Sequence, residues 1–488
     1  MVKVVKRSKN VQQQRRPLFC ALNDHVKKET MSFHVPGHKN GMNWPMDSAM
    51  KQMLPFDQTE VTGLDYLHEP EDVLKESQEL LSSFYGSKKS YYLVNGSTVG
   101  NLAMVMGATS KGDWVLVDRT CHQSIIHALE LAGVRPVFVT PAYQTEKREA
   151  VGVSLESIEA AFEKYPEIKA VILTYPSYNG QVFSLDKIAK YAHQRGAVVL
   201  VDEAHGAHFV LGDPFPKQAL SLGADIVVQS AHKMLPAMTQ TGYLHIHHET
   251  SATIQQKVEQ YLHMLQSSSP SYVLMHSLEY ARFFASQFDE EDLKATLAYR
   301  DDWMERFKQS GLVYLHSDDP LKVRLYWPGQ SGNQLLSVLE EQGMFPEKND
   351  EDSVLLTFPL VKKDDQSLQR VETVKLPKTS SEILNDHSVH FNMGQFPLLS
   401  ELAISYEQQQ QLSIKKVQLD KAAGKIAARN IVPYPPGIPL VLKGEKCTKE
   451  TVEQLSFYLE QNMRVVGLND QLEMVFFQTC RKSIRLNR

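Results

Sequence analysis

The sequence predicts an α/β protein built on a mostly parallel, doubly wound sheet, and three observations support this fold class. Short apolar runs rich in β-branched residues alternate with amphipathic helical segments between about residues 71 and 290. Several of these runs are apolar at every position, as in strands covered on both faces. The 488 residues exceed what one core usually serves, and the pattern changes near residue 290. We therefore expect an N-terminal tail and arm over 1–70, a large domain over 71–290 and a small α+β domain over 291–488.

The predicted elements of the large domain follow one another in a regular order. A helix over Glu71–Tyr85 leads to YYLVNGSTVGN, which combines a strand, a turn and the start of a second helix. Ser154 is placed to cap the helix that follows it. The remaining elements are a strand at 113–118, a helix at 121–131, strands at 135–140 and 169–176 on either side of a helix at 154–165, a helix at 184–196, and strands at 197–205 and 224–233.

After residue 290 the pattern changes to strands separated by helices. The strands are expected in YLHSDDPLKVRLYW, in SVLLTFPL and in RVETVKLP, and Gln408–Gln411 falls within a predicted helix. This arrangement is typical of a smaller α+β domain.

Composition and charge exclude several classes of protein. The formal net charge is −5, so the chain has no overall attraction to nucleic acid or anionic lipid, and no apolar run is long enough to cross a bilayer. Six Lys or Arg residues in the first 16 positions predict a solvated, mobile tail, with a nucleic-acid or membrane tether as the alternative. Four scattered cysteines without a CxxC pair favour the reducing cytoplasm.

Polar residues follow two of the apolar strands directly. Asp202 ends one strand, and Ser230, His232 and Lys233 follow another. Taken alone, Asp202 is equally well a cap, and Lys233 is more often a solvated surface lysine. Because ligands of open α/β sheets bind beyond the carboxyl ends of the strands, the combination indicates a crevice lined by an acid and a lysine.

Two further segments contain residues suited to a planar phosphorylated ligand. In NGSTVGN, the backbone amides of Gly96, Ser97 and Thr98 at a helix start can cradle an anion, although ordinary N-caps look the same. In DRTCHQS, His122 opens a helix after a strand, where its ring could lie over a planar ligand or simply serve as a cap.

A single cofactor, pyridoxal 5'-phosphate, accounts for all four features. It requires a lysine for an imine, an acid for its ring nitrogen, a phosphate cup and a stacking face. The order of phosphate turn, stacking ring, acid and lysine along this chain resembles that of the fold-type I pyridoxal-phosphate enzymes.

Specific motifs resemble the prokaryotic Orn/Lys/Arg decarboxylase family, in its short form without a receiver-like N-terminal domain. VQSAHKMLPAMTQTG is similar to the cofactor-lysine signature of that family, apart from Pro236 and Gly242. The other similar segments, in chain order, are HVPGHKNG, DQTE with GLDYL, NGSTVGN, DRTCHQS, TYPSYNG, VDEAHGAH, SSSPSY and VPYPPGIPL. The resemblance implies the fold-type I transferase fold and decarboxylation of arginine, lysine or ornithine to an amine of the polyamine type.

The resemblance also implies roles for individual residues. Lys233 would hold the cofactor as an imine, and Asp202 would keep its ring nitrogen protonated. Lys233 or His232 would return a proton to the α-carbon. The remaining contacts would be His122 and Ala204 on the two ring faces, His205 at the ring substituents, and Gly96, Ser97, Thr98, Ser230 and His232 at the phosphate.

Alternatives remain within and outside this reaction. The alternatives with the same cofactor are an aminotransferase and another lyase. An aminotransferase would clamp the substrate carboxylate with an arginine, for which Arg324 and Arg370 are candidates. A catalytically silent paralogue is disfavoured because the lysine and the acid are both present. No metal site is expected, because Pro36-Gly37 interrupts the His34/His38 pair and the histidines at 245–248 have no acid or cysteine at ligand spacing.

Substrate choice and assembly are predicted only in outline. A distal acid such as Asp57, Glu60 or Asp65 would choose among the three amino acids, with arginine and lysine favoured.

The family resemblance implies a dimer or a dimer of dimers, in which Ser268 and Ser269 reach the neighbouring subunit's phosphate group. A polar turn is the alternative for these serines. His38 and Lys39 are expected at the entrance, where they could meet a carboxylate.

Overall fold

The computed structural model describes residues 11–28, 30–45, 49–144, 149–365, 396–434, 439–460, 464–469 and 471–478. Within these ranges the helices are α1 Pro17–Lys27, α2 Val73–Tyr85, α3 Gly96–Ala108, α4 Gln123–Ala132, α5 Leu155–Lys164, α6 Leu185–Gln194, α7 Ala231–Met234, α8 Ala252–Leu265, α9 Tyr272–Ser286, α10 Glu290–Gln309, α11 Gly332–Glu341, α12 Tyr406–Gln410 and α13 Lys449–Glu460. The strands are β1 Lys89–Leu93, β2 Trp114–Asp118, β3 Arg135–Val139, β4 Ala142–Gln144, β5 Glu149–Gly152, β6 Ile168–Thr174, β7 Val198–Asp202, β8 Ile226–Gln229, β9 Gly242–Ile246, β10 Val313–His316, β11 Lys322–Tyr326, β12 Lys348–Asn349, β13 Ser353–Thr357, β14 Leu399–Glu401, β15 Ile414–Gln418, β16 Val432–Tyr434, β17 Arg464–Val466 and β18 Glu473–Phe477.

A large sheet organises the first two thirds of the chain. In the described residues it has eight strands in the order β1-β9-β8-β7-β6-β2-β3-β14. The contiguous strands β3, β2, β6, β7 and β8 pair in parallel, while β9 and β14 run antiparallel to their neighbours. The mostly parallel α/β fold predicted from the sequence is therefore confirmed. Its parallel strands bring their carboxyl ends to one edge, where polar residues follow them.

Two apolar cores cover the two faces of this sheet. One contains Leu116 and Val199, and the other contains Val117 and Leu200, so adjacent residues of a strand face opposite cores. Helix α3 lies close on the second face because it carries Gly100, where an added Cβ would come within 2.8 Å of a Val228 methyl. This close approach places the start of α3 beside the end of β8.

In the described residues after 290, the strands form three further sheets, the smallest of which pairs β16 with β17. Strands β10, β11, β13 and β12 form an antiparallel sheet whose apolar residues join the first core of the large sheet. Strands β15 and β18 pair in a second unit that has its own core. Strand β14 precedes this unit and extends the large sheet beside β3. The expected strand RVETVKLP lies outside the described residues.

The N-terminal arm is held by a buried charged pair of residues on α9. Glu279 accepts hydrogen bonds from the backbone N–H groups of Leu18 (3.0 Å) and Phe19 (2.8 Å). Arg282 donates to the carbonyl oxygens of Gln13 and Arg15, both at 2.6 Å. The predicted mobile tail is therefore anchored at residues 11–16, because the carbonyls of Gln13 and Arg15 satisfy a buried guanidinium, while Gln12 and Gln14 remain exposed to solvent. Residues 1–10 lie outside the described part of the chain.

The helices of the described residues can be compared with the length of a membrane span. None of their helices is both long and apolar enough to span a bilayer.

Candidate active site

The predicted acid and lysine lie at the carboxyl edge of the large sheet. Asp202 is the last residue of β7 and is buried, and Lys233 lies in the short helix α7 that follows the adjacent strand β8. The two strands pair in parallel with Asp202 opposite Val228. The apolar strands thus end at the same level, and the first polar residues after them share one crevice.

Asp202 is oriented by hydrogen bonds that continue to His122. One carboxylate oxygen accepts from Asn101 Nδ2 (2.8 Å), and the other accepts from the backbone N–H of Ala204 (3.1 Å). Asn101 Nδ2 also donates to Ser124 Oγ (2.9 Å), which lies 2.8 Å from His122 Nδ1. His122 is the N-cap of α4, as its alternative interpretation predicted, and the network also fixes its ring beside the acid.

The NGSTVGN segment forms a turn whose backbone leads into α3. Gly96 begins the helix with φ +77°, a conformation that favours glycine. The hydroxyl groups of Ser230 and Ser97 are hydrogen bonded at 2.7 Å, so residues from the two strand ends meet at this helix start. Gly242 borders it, because an added Cβ there would lie 2.6 Å from the carbonyl oxygen of Gln229. A larger side chain at position 242 would collide with this oxygen, which explains why the sequence departs from the family signature there.

A chain of three basic side chains crosses the crevice. Lys233 Nζ lies 3.1 Å from His205 Nε2, and Lys322 Nζ lies 3.0 Å from His205 Nδ1. His205 and Lys322 are buried. Burial lowers the pKa of Lys233, while Asp202 acts in the opposite direction. Burial lowers the pKa of His205 well below its usual value, and the two lysines reinforce this effect.

His232 precedes Lys233 in α7 and is a further polar group near the NGSTVGN turn, where Thr98 is exposed. Its Nδ1 lies 2.8 Å from the carbonyl oxygen of Thr241, which indicates that Nδ1 carries the proton and donates. This bond fixes the ring beside the helix that carries Lys233.

Tyr178 and Glu347 form an exposed rim beside His205. The Tyr178 ring centroid is 4.6 Å from that of His205, and its hydroxyl donates to Glu347 Oε1 at 2.7 Å. The Glu347 carboxylate favours the charged form of both Lys233 and Lys322. Glu347 is exposed, so a carboxylate is available near the two amines.

These residues fit pyridoxal phosphate. The N–H of Gly96 donates to the carbonyl oxygen of Gln240 at 2.8 Å. The N–H groups that follow it in the first turn of α3 have no intrahelical acceptor, and Ser97 and Ser230 add hydroxyls, which suits a phosphate dianion. In the described part of the chain no basic side chain is hydrogen bonded to the buried Asp202 carboxylate, which suits a protonated ring nitrogen. Among the described residues, no group of three or more His, Cys, Asp or Glu side chains could hold a metal ion.

The segment with Ser268 and Ser269 lies near the turn but does not join the hydrogen-bond networks above. Both serines are exposed between α8 and α9, and the adjacent Ser267 N–H donates to Asn95 Oδ1 at 3.1 Å. Asn95 is the N-cap of α3. Their reach toward a neighbouring subunit stays a prediction.

The three acids considered for substrate choice have different environments. Both Asp65 carboxylate oxygens accept backbone N–H groups at the start of α2, including that of Leu74 at 2.9 Å, which gives this acid a structural role. Asp57 Oδ2 lies 3.2 Å from His38 Nε2, so His38 meets a carboxylate of its own arm. Burial raises the pKa of Tyr66 and of Tyr272, and the charge of Glu60 acts on both in the same direction.

Sequence reasoning missed four residues that shape the crevice: Asn101, Tyr178, Lys322 and Glu347. Asn101 ends the quoted NGSTVGN motif, and its position four residues after Ser97 on a helix was a usable signal. Tyr178 lies in TYPSYNG, which was noted only as a similar segment. Lys322 and Glu347 reach the site from the antiparallel sheet, and no local pattern distinguishes them from surface residues.

The fold and this donor set define a class, namely the fold-type I pyridoxal-phosphate enzymes. Comparison with known proteins gives the family. The family model for the major domain of Orn/Lys/Arg decarboxylases matches residues 16–310, and the model for their C-terminal domain matches residues 398–479. The chain belongs to the Orn/Lys/Arg decarboxylase family, whose cofactor is pyridoxal phosphate, so it is a pyridoxal-phosphate-dependent amino-acid decarboxylase. The predicted family, enzyme class and cofactor are confirmed.

Individual relatives and one solved structure agree with this placement. The chain is 41% identical over 470 residues to the uncharacterized protein YaaO of Bacillus subtilis, with 92% of this chain and 96% of that protein covered. It is 28% identical to an arginine decarboxylase of B. subtilis over 93% of this chain and 96% of that protein. The crystal structure of the Francisella novicida lysine decarboxylase LdcF superposes with a TM-score of 0.79 at 19% identity, covering 96% of this chain and 81% of that one. This superposition confirms the predicted fold class.

Proposed function

We propose that the protein decarboxylates a basic amino acid, arginine or lysine before ornithine, and releases carbon dioxide and the corresponding polyamine-type amine. The observation that carries the proposal is the convergence of Lys233, Asp202 and the start of α3 at one sheet edge, with the Glu347 carboxylate at the rim. The relatives named above include an arginine decarboxylase, and a lysine decarboxylase of Pseudomonas aeruginosa is 23% identical over 91% of this chain and 75% of that protein.

The cofactor, when bound, supplies a protonated ring that accepts the electron pair left behind as carbon dioxide departs. The chain's own residues hold it in place. Lys233 would provide the covalent attachment, and Asp202 would pair with the ring nitrogen because Asn101 and the Ala204 N–H fix its oxygens. His122 would cover one ring face, and the small Ala204 would permit close approach on the other. Ser97, Thr98, Ser230 and His232 would bind the phosphate, and Gly96 would shape the turn, because its N–H donates to the carbonyl oxygen of Gln240 at 2.8 Å.

Proton return to the α-carbon is assigned to Lys233, with His232 as the alternative donor. Burial lowers the pKa of Lys233, so its amine exchanges a proton closer to neutral pH than an exposed lysine would. His232 donates through Nδ1 to Thr241, which leaves Nε2 as the nitrogen that could act in its place.

We assign recognition of the distal cationic group to Glu347 rather than to Asp65. The Asp65 oxygens are engaged at the start of α2, whereas Glu347 is exposed and is bonded to Tyr178, which lies against His205. An acid at this rim favours a substrate with a positively charged side chain.

The aminotransferase alternative requires an arginine clamp, which the described residues do not favour. Arg324 is buried, and its guanidinium lies 3.9 Å from Glu149 and 3.8 Å from Asp352. It also donates to Ser353 Oγ at 3.2 Å. Arg370 lies outside the described residues.

The decisive experiment is an assay of the purified protein with pyridoxal phosphate and arginine, lysine or ornithine in turn. Amine product is measured by chromatography and gas release by manometry. We expect stoichiometric amine and carbon dioxide from one substrate, loss of turnover by about 10⁴-fold or more in Lys233→Ala, and unchanged turnover in Lys190→Ala, a lysine exposed on α6. Transfer of the amino group to 2-oxoglutarate without gas release would instead identify an aminotransferase.

We further propose a dimer or a dimer of dimers, with each active site completed by the neighbouring subunit. The arm presents apolar side chains to solvent, with Met31 76%, Phe33 87% and Val35 66% exposed, and Ser268 and Ser269 are exposed as well. Such a surface is unusual on a monomer and suits an obligate interface. Mixing Lys233→Ala subunits with Ser268→Ala/Ser269→Ala subunits should restore activity through hybrid sites, and a fully active monomer in sedimentation would contradict the proposal.

We assign the protein to the cytoplasm. The described cysteines Cys20, Cys121 and Cys447 are free thiols. Free thiols of this kind suit a reducing compartment.

A further inference from the structure

A second buried lysine reaches the active site from the antiparallel sheet. Lys322 is the first residue of β11 and is only 1% exposed. Its Nζ lies 3.0 Å from His205 Nδ1 and donates to Thr357 Oγ1 at 3.1 Å. On the opposite side of the same imidazole, Nε2 lies 3.1 Å from Lys233 Nζ. The His205 ring therefore joins two amines through its two nitrogens.

The two contacts of His205 constrain where protons can be. A neutral imidazole has one N–H donor and one lone pair, so it can accept from only one ammonium group. The other amine must accept from the imidazole N–H, which requires that amine to be uncharged. The hydrogen bonds of Lys322, His205 and Lys233 can therefore all be satisfied only when at most one of the two lysines is charged.

The hydrogen-bond acceptors determine which lysine carries the charge. A charged Lys322 donates to both His205 Nδ1 and Thr357 Oγ1, whereas His205 is the hydrogen-bond partner found for Lys233 Nζ. The buried Asp319 also favours charge on Lys322. With the proton on Lys322, His205 carries its own proton on Nε2 and directs it at the lone pair of Lys233.

We propose that Lys322 is a positioning residue that acts through His205 to keep the Lys233 amine uncharged and aimed for attack on the cofactor aldehyde. The proposal rests on the assignment of Lys233 as the attachment lysine. In the step concerned, the uncharged amine forms a C=N bond with the aldehyde carbon, and the carbonyl oxygen leaves as water. A charged ammonium group has no lone pair for this step. The fraction of Lys233 that is uncharged therefore sets the rate of imine formation.

The groups around Lys322, His205 and Lys233 are consistent with a proton that this hydrogen-bonded set loses readily. Burial is the largest cause that lowers the pKa of Lys322 to about 8; Lys233 and Lys348 act in the same direction, and Asp319 and Glu347 act against it. Glu347 favours charge on both active-site lysines, so it does not distinguish them. The charged or titratable groups that face Lys322, His205 and Lys233 from neighbouring elements are His122, Tyr178, Asp202, His208, Asp319, Glu347 and Lys348.

The test measures capture of pyridoxal phosphate by the full-length, cofactor-free protein between pH 6 and pH 10. Borohydride trapping followed by peptide mass spectrometry gives the rate of adduct formation at Lys233. In Lys322→Met the midpoint of this rate should rise by about one pH unit, with capture at pH 7 slowed about tenfold and wild-type rates regained at high pH. Lys362→Met, which removes a lysine paired with Asp292, should leave the midpoint unchanged.

A double-mutant comparison tests the path through His205. His205→Phe should raise the midpoint as Lys322→Met does, and the double variant should show no further rise, because both changes break one chain. Thr357→Val, which removes the second acceptor, should produce a smaller rise in the same direction and serves if Lys322→Met fails to fold.

The outcomes separate this inference from the proposed function. Absence of any adduct at Lys233 in the wild-type protein would overturn the attachment assignment itself. An adduct at Lys233 whose midpoint is the same in wild type, Lys322→Met and Thr357→Val would overturn the role of Lys322. A uniform slowing at every pH would also overturn it, since that result indicates a structural role only.

Discussion

The two sheets that border the crevice contribute residues in different ways. The large parallel sheet supplies Asp202 and Lys233 from the carboxyl ends of neighbouring strands. The antiparallel sheet supplies Lys322 from the first residue of β11 and Glu347 from the residue before β12. Asp202 and Lys233 are suited to holding the cofactor. In the proposals above, Lys322 acts on the amine of Lys233, and Glu347 acts at the rim where substrate enters.

This difference has a topological cause. All the carboxyl ends of a parallel sheet meet at one edge, so chain order alone identifies residues that share a site. In an antiparallel sheet both strand starts and strand ends occur at each edge, and chain order does not indicate which residues face the crevice. The comparison predicts that changes in the large sheet affect the chemical step most, and changes in the antiparallel sheet affect proton state and substrate binding.

Among variants that keep Lys233, the largest effect is expected at Asp202. Asp202→Asn removes the charge paired with the ring nitrogen, and loss of such stabilisation costs about 3 kcal/mol of barrier, or roughly 10²- to 10³-fold in kcat. Steady-state kinetics of the variant with saturating cofactor measures this loss.

Asp118 provides a matched control for that variant. It is also buried and ends β2, but its Oδ1 accepts from Thr120 N–H at 2.8 Å and from Thr120 Oγ1 at 2.7 Å, which gives it a local turn. Asp118→Asn should leave kcat within about threefold. Equal losses in the two variants would show that any buried strand-end acid has this effect, and would remove the special role of Asp202.

The sequence predicts the large domain well because its signals are local. The strands β2, β3, β6, β7 and β8 were expected within one to three residues of their bounds, except where motifs extended beyond a strand end. Ser154 caps α5 as expected, accepting the Ser157 N–H at 3.2 Å. Lys322 could not be assigned this way, because its partner His205 is 117 residues away along the chain.

A buried ion pair that joins the C-terminal unit to the cofactor side of the molecule is another contact of this long-range kind. Arg119, three residues before His122, donates to both Glu445 oxygens at 2.7 and 2.8 Å. The two residues are 326 positions apart, so no local pattern in the sequence indicates the contact.

Breaking the ion pair between Arg119 and Glu445 is expected to have an effect between those of the Asp202 and Glu347 variants, and the effect is on stability. Glu445→Gln leaves the Arg119 charge buried without its counter-ion and should lower the free energy of unfolding by about 3 kcal/mol. Lys443→Gln breaks a partly exposed pair between the same two regions, Lys443 with Glu130 at 2.6 Å, and should cost less than about 1 kcal/mol. Denaturant titration of both variants checks the contrast, and equal costs would mean that the buried pair is not a special link.

The smallest effect is expected at Glu347, where the two sheets' contributions can be separated. Glu347→Gln keeps a hydrogen-bond acceptor for Tyr178 but removes the negative charge at the rim. If that charge binds the distal cation of the substrate, KM for arginine or lysine should rise about tenfold, the loss of one charge-assisted contact of about 1.4 kcal/mol. Because Glu347 is not required to hold the cofactor, kcat should change less than about threefold.

Glu340→Gln, which changes an exposed acid on α11, should alter neither KM nor kcat. A fall in kcat with KM unchanged would place Glu347 with the catalytic groups of the large sheet, and the division of labour between the two sheets would then be wrong.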